Sequence, residues 1–309
     1  MTRGGAPKSV GVIGLGAMGR PFARSLLGSG YEVLGYDVTE STMSALAGEG
    51  LRPATSPRDL AARADLVLSV LPYAEDVRRA LLGENGAAFG ARPGTIFVEA
   101  STIDPMAVRE MNAPLAERNV ALLDAGLAGS PKMAAARKFT LLAGGEQHAF
   151  ERARPVLTEL CVNGKLLYTG PLGTAKVVKL LSNTLGAVQV AALSEAFNLG
   201  RLAGVEPQTL FEGLRGGMGN CWAINVRPPY PNLVPGSPAD LDFAPDFSVD
   251  YMLKDLAYAL KTGEAVGAST LVASLVQRLY QAASNRGEGS RDFAAVVRTI
   301  EALSKPARP

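Results

Sequence analysis

Short apolar runs of strand length alternate with helix-length segments through the first half of the chain, and only helical patterning follows. Residues 9–13 (SVGVI) form an unbroken apolar run, as expected of a strand buried on both faces. Runs at 31–37, 65–72, 95–100, 121–125, 139–143 and 165–168 repeat the theme, with turn residues and helical stretches between them. Strands alternating with helices predict βαβ units and a doubly wound parallel sheet, a Rossmann-like α/β domain. The pattern ends at Gly170. From Thr174 to Ala203 there is no proline, and one internal glycine precedes Gly200. That predicts a helix of about 45 Å. Its apolar residues, among them Val177, Leu181, Leu185, Val190 and Phe197, go nearly all round, which predicts burial between domains. Helices are expected at 207–213, from Ser248, near 269–283 and near 292–303. Residues 220–247 carry six prolines and read as a long irregular loop, packed by Trp222, Tyr230, Phe243 and Phe247. The expected organisation is an α/β domain over 1–170 and an all-α domain over 171–309, joined by the long helix.

Composition narrows the function. The net charge is +2 and no lysine/arginine run occurs, so a nucleic-acid partner is not expected. The N-terminus lacks the charged and apolar regions of a signal peptide, and no unbroken apolar run reaches the roughly 18 residues of a membrane span. Two widely spaced cysteines, Cys161 and Cys221, fit reduced thiols in the cytoplasm. The only histidine is His148, in a polar turn. A histidine/cysteine zinc site has too few ligands, and no Gly-x-Ser-x-Gly elbow supports a serine–histidine triad. No metal is expected.

Gly14-Leu15-Gly16-Ala17-Met18-Gly19 lies between the first strand and a helix, the setting a dinucleotide fingerprint requires. Gly14 permits the turn, Gly16 lets the backbone approach a pyrophosphate, and Gly19 allows close helix–strand packing, with the helix N-terminus facing the phosphate charge. The second strand ends in Asp37. A carboxylate there bonds the adenosine ribose hydroxyls and repels a 2′-phosphate, so NAD is favoured over NADP. A cap for the next helix is the plainer reading of Asp37. Leu71, Pro72 and Thr102 end later strands, at the sheet edge where a cofactor binds. After Asp124, the small-residue stretch 125–131 reads as a loop whose amides can face an anion. With no useful histidine or metal, the proton carrier for hydride transfer is sought among lysines. Lys179, on the long helix, would be tuned toward neutrality by burial, and Asn183 stands one turn on. Lys176 is a rival, and a lysine snorkelling to solvent is the alternative to both.

Four motifs in order resemble the β-hydroxyacid dehydrogenase superfamily over nearly the whole length. Residues 14–21 (GLGAMGRP) are similar to its opening signature. Residues 124–130 (DAGLAGS) look like its substrate loop, which implies substrate contacts at Ala128, Gly129 and Ser130. Residues 170–183 look like its catalytic segment, and this alignment selects Lys179 over Lys176. Lys254-Asp255-Leu256 looks like its fourth motif, which implies Lys254 beside the nicotinamide. The segment with Cys221-Trp222 and the proline-rich run looks most like 3-hydroxyisobutyrate dehydrogenases. The implied reaction is NAD-dependent oxidation of a small 3-hydroxy acid by a homodimer or homotetramer. The chain departs from the pattern where Ala128 replaces a serine, Gly126 a proline, Ser130 and Arg137 glycines, Tyr73 an asparagine and Ser182 an asparagine. These departures bear on the substrate more than on the reaction. Reduction of an aldehyde acid (tartronate semialdehyde or a sulfonated aldehyde) would use the same residues. A non-catalytic NAD-binding protein on this fold is disfavoured by Lys179 with Asn183, and imine reductases usually lack that lysine.

Overall fold

The computed structural model describes residues 6–304. It falls into two compact units that part between Lys179 and Leu180. The first carries strands β1 (Ser9–Ile13), β2 (Glu32–Tyr36), β3 (Arg52–Pro53), β4 (Leu66–Ser69), β5 (Ile96–Glu99), β6 (Ala121–Ala128), β7 (Thr140–Gly145) and β8 (Lys165–Gly170). Between them lie helices α1 (Gly19–Gly28), α2 (Glu40–Ala47), α3 (Pro57–Arg63), α4 (Ala74–Leu82), α5 (Pro105–Ala116), α6 (Pro131–Ala135) and α7 (Gln147–Leu160). The strand order is β3-β2-β1-β4-β5-β6-β7-β8. Apolar clusters fill both faces of the sheet, one around Val10, Val12, Phe22 and Leu68, the other around Ile13, Leu60, Phe97 and Met111. Alternate residues of β1 thus enter different cores, which is why its sequence is apolar throughout.

The sheet is mixed where a purely parallel one was expected. β1 to β6 pair in parallel, β6 and β7 are antiparallel, and β7 and β8 are parallel again. The connection from β6 to β7 holds only the short α6, too little for a parallel crossover. The same pairing corrects the expected loop at 125–131. Residues Ala125–Ala128 continue β6, with Ala125 opposite Ala143 and Ala128 opposite Thr140. Their backbone groups serve a ladder, and only Gly129 and Ser130 lie outside strand and helix.

Helix α8 (Thr174–Leu202) begins in the first unit and continues into the second. The second unit adds α9 (Pro207–Arg215), α10 (Trp222–Val226), α11 (Val249–Ala265), α12 (Leu271–Ala283) and α13 (Val296–Leu303). Its core gathers Ala187, Val190, Phe197, Met252, Leu256, Tyr280 and Phe293. The proline-rich segment is packed, as its aromatics predict. Arg227 is buried, pairs with Asp292 and Asp246, and lies 4.7 Å over the Phe293 ring.

The expectation that α8 is buried all round is not met. Val178, Leu181, Leu185, Leu199 and Leu202 are exposed along one side, while Ala187, Val190, Ala191 and Phe197 enter the core. By length and hydropathy α8 could cross a membrane, but its buried row belongs to the core of the second unit. It is a core helix with one uncovered apolar side.

Candidate active site

The glycine turn after β1 has the geometry that a dinucleotide needs. Gly14 has φ +88°, and a Cβ there would strike the Val70 carbonyl oxygen at 2.2 Å. A Cβ on Gly19 would lie 1.8 Å from the Gly14 oxygen, so α1 starts hard against the turn. At Gly16 the position of a Cβ has no neighbour within 4 Å. Open space at the middle glycine, at the mouth of a helix with no side-chain cap and no acid in its first turn, suits a pyrophosphate. Ala17 is exposed, and Met18 is the α1 N-cap residue. Asp37 accepts from Leu15 N (2.7 Å) through Oδ2 and from Thr39 N (2.9 Å) through Oδ1. It therefore braces the glycine turn. Each carboxylate oxygen keeps a second lone pair that a ribose hydroxyl could use. These residues fit an NAD(P)-type cofactor.

At the carboxyl ends of β4 and β5 a backbone relay sets the next residues. Leu71 N donates to Ser101 Oγ (2.8 Å), and Ser101 N donates to Glu99 Oε1 (2.8 Å). Leu71-Pro72 and Thr102 are thereby held in register on neighbouring strand ends. Glu99 is fully buried.

The start of α8 is built on β6. Gly170 (φ +107°) and Gly173 (φ +91°) turn the chain out of β8. Asp124, fully buried, then accepts from Gly173 N (2.7 Å) and Lys176 N (2.9 Å). A carboxylate so placed satisfies orphan N–H groups and opposes the helix dipole. Hydrogen bonds to a charged acceptor contribute about 1.5–3 kcal/mol each. Side chains alternate along a strand, so Asp124, Gly126 and Ala128 share the face that meets α8. A Cβ on Gly126 would lie 2.8 Å from Ala175 O and 2.9 Å from Lys179 Cβ. The strand and the lysine-bearing turn are in backbone contact there. Lys179 itself is half-buried.

Lys176, the sequence-level rival, goes elsewhere. It is 1% exposed, and its ammonium is ringed by Glu99 O (2.7 Å), Ser101 O (2.5 Å) and Ala125 O (2.7 Å). These take its three protons. Glu99 Oε2, 2.7 Å away, balances the charge as an ion pair but accepts no hydrogen bond of good geometry.

The other predicted residues divide as follows. Ser130 caps α6, its hydroxyl accepting from Met133 N (3.3 Å). Gly129 is exposed, and a Cβ on it would meet Phe139 Cβ at 2.6 Å. Arg137, at φ +57°, turns to Glu159 and Ser29. His148 is exposed. In the second unit, Asp255 is buried and joins two predicted residues. It accepts from Asn183 Nδ2 (2.6 Å) and lies 3.1 Å from Lys254 Nζ. Lys254 also lies 5.4 Å from the Tyr258 ring. Sequence reasoning gave no role to Glu99, Asp124 or Asp255, although Asp124 and Asp255 stand inside two of the motifs and Glu99 ends a strand run just before Ser101-Thr102.

Known proteins are similar to this chain over nearly its whole length. Residues 9–170 match the model for the NAD binding domain of 6-phosphogluconate dehydrogenase. Residues 173–300 match the NAD-binding domain of NADP-dependent 3-hydroxyisobutyrate dehydrogenase. A probable 3-hydroxyisobutyrate dehydrogenase of Mycobacterium tuberculosis is 36% identical over 294 residues, covering 95% of this chain and 98% of the relative. An NAD-dependent L-serine dehydrogenase of Pseudomonas aeruginosa is 35% identical with the same coverage. A solved structure of the Mycobacterium tuberculosis 3-hydroxyisobutyrate dehydrogenase with L-serine has a TM-score of 0.88 at 36% identity, covering 95% of this chain and 99% of that one. Likeness of that extent, running through both the glycine turn and the helix that carries Lys179, shows that the chain belongs to the 3-hydroxyisobutyrate dehydrogenase family, NAD(P)-dependent oxidoreductases acting on CH–OH groups.

Proposed function

We propose that the protein oxidises a small 3-hydroxy carboxylic acid to its semialdehyde with NAD, and that Lys179 carries the hydroxyl proton. The observation that carries this reading is the seating of Lys179. Asp124 caps its helix, and a bare glycine on β6 lets the lysine-bearing turn touch the strand that leads into the substrate segment. A bound nicotinamide supplies the hydride acceptor. As the hydride leaves carbon, the substrate O–H bond breaks and its proton passes to Lys179 Nζ, which must be neutral to receive it. Asn183, one turn further along α8, holds the substrate oxygen. Gly129 and Ser130 offer the carboxylate end backbone groups and one hydroxyl, and Ala128, the last residue of β6, lines it beside them. The choice of NAD rests on Asp37, whose carboxylate at the end of β2 would repel a 2′-phosphate. Cytoplasmic location and a homodimer or homotetramer belong to the same proposal. The uncovered apolar side of α8 supports the oligomer, and light scattering on the eluting protein tests it.

The experiment is NAD reduction with 3-hydroxyisobutyrate and with L-serine, assayed separately, on the wild type and on Lys179→Ala. L-Serine is included because two relatives are associated with it by name or structure. The expected result is turnover of at least one acid, lost in the variant while NAD still binds. Wild-type turnover by Lys179→Ala would sink the assignment.

A further inference from the structure

The buried pair of Lys176 and Glu99 has no role in the chemistry above, yet it touches every element that frames it. Lys176 Nζ donates to three carbonyls on two neighbouring strands, Glu99 at the end of β5, Ser101 just beyond it and Ala125 within β6. Glu99 in turn accepts from Ser101 N, and Ser101 Oγ accepts from Leu71 N at the end of β4. The main-chain N–H of Lys176 is one of the two that Asp124 caps. Lys179 lies three residues on, in the next turn of the same helix.

Both side chains are removed from water, at 1% and 0% exposure. A well-packed apolar pair of similar volume would serve stability as well or better, because desolvation offsets the attraction of a buried ion pair. What the ammonium adds is geometry. Three protons aimed at three carbonyls define one position for the first turn of α8 against the two strands, and the Glu99 carboxylate lies 2.7 Å from the ammonium.

We propose that Lys176, balanced by Glu99, is a positioning residue that sets Lys179 against the strand ends carrying Leu71, Pro72 and Thr102. This rests on the reading of Lys179 as the proton carrier. Without the pair, α8 remains capped by Asp124 but its first turn gains freedom. A misplacement of about 1 Å is enough to cost on the order of 100-fold in rate.

The test compares full-length wild type, Lys176→Met/Glu99→Gln, Glu99→Gln and Lys179→Ala, with 3-hydroxyisobutyrate and L-serine as probes. The double variant removes both charges together, which avoids stranding one in the core. It is expected to melt close to the wild type and to bind NAD within about threefold. Its kcat should fall roughly tenfold to 100-fold with KM little changed, and its primary deuterium isotope effect should rise as the chemical step becomes limiting. A folded double variant with wild-type kcat and isotope effect overturns the proposal, leaving the Lys179 reading intact if Lys179→Ala is dead. Wild-type turnover by Lys179→Ala instead brings down the underlying reading, whatever the pair does. Should the double variant not fold, Glu99→Gln decides, since it keeps the size of the side chain and all three ammonium bonds. A kcat loss of about fivefold or more at unchanged KM supports the proposal, and a wild-type kcat refutes it.

Discussion

Gly126→Ala puts one methyl group where β6 touches α8. Its Cβ would lie 2.8 Å from the Ala175 oxygen and 2.9 Å from Lys179 Cβ. Comfortable contacts between such atoms are about 3.5–4.0 Å, so the first turns of α8 must retreat by roughly 0.5–1 Å. Neither neighbour is the far end of a flexible side chain, so the retreat is a backbone movement. It is opposed by the two bonds of Asp124 and by the ring of carbonyls around Lys176. Overpacking of this kind costs about 1–3 kcal/mol. A displacement of that size at a proton carrier costs up to about 100-fold, so kcat is expected to fall roughly tenfold to 100-fold, with KM for NAD unchanged. The assay is steady-state NAD reduction beside a urea titration. Gly28→Ala at the end of α1 is the control, because a Cβ there meets nothing within 4 Å. It should leave turnover unchanged and hold or raise stability. A Gly126→Ala protein with wild-type kcat and an unshifted urea midpoint would show that strand and helix do not constrain Lys179.

Asp37→Ala removes the acceptor of Leu15 N and Thr39 N. KM for NAD should rise about tenfold with kcat nearly kept, and the wild type should prefer NAD; a tenfold preference for NADP would refute the role given to Asp37. Arg137→Ala should cost about 1–2 kcal/mol in urea titration and leave KM for the hydroxy acid alone. Glu159, its partner, is held below the usual carboxylate value by the Ser29 hydroxyl and by Arg137. That lowered value gives stability above the ordinary value of 4.5, lost as pH falls through the folded value. The gap between wild type and variant should therefore close in acid, and a gap that persists argues against the pair. Tyr230, hydrogen-bonded to Glu301, is pushed up to about 12, first by burial and then by that bond. A raised value gives stability that is whole below 10.0 and lost as pH climbs toward 12. Tyr230→Phe should thus lose less stability than the wild type between pH 9 and 11, and parallel losses would count against this.

Much of the site is local in character and so was legible in the residues. Three glycines at fixed spacing after an apolar run, and an acid at the end of the next, describe a turn and a strand end whose geometry depends on few other residues. The alternation of short apolar runs and helical stretches likewise announced the α/β half, because side-chain period follows from backbone geometry alone. Partners distant along the chain settled the rest. Ala125-Gly126-Leu127-Ala128 has too little strand propensity to read as anything but a loop, and it is a strand because β7 pairs with it. Two lysines three residues apart on one helix look alike in sequence. The fold separates them by bringing three carbonyls and Glu99 around Lys176 and by setting the turn that carries Lys179 against Gly126 of β6. A buried charge is defined by the atoms that compensate it, and those of Lys176 come from residues 51 to 77 positions away, where no local pattern reaches.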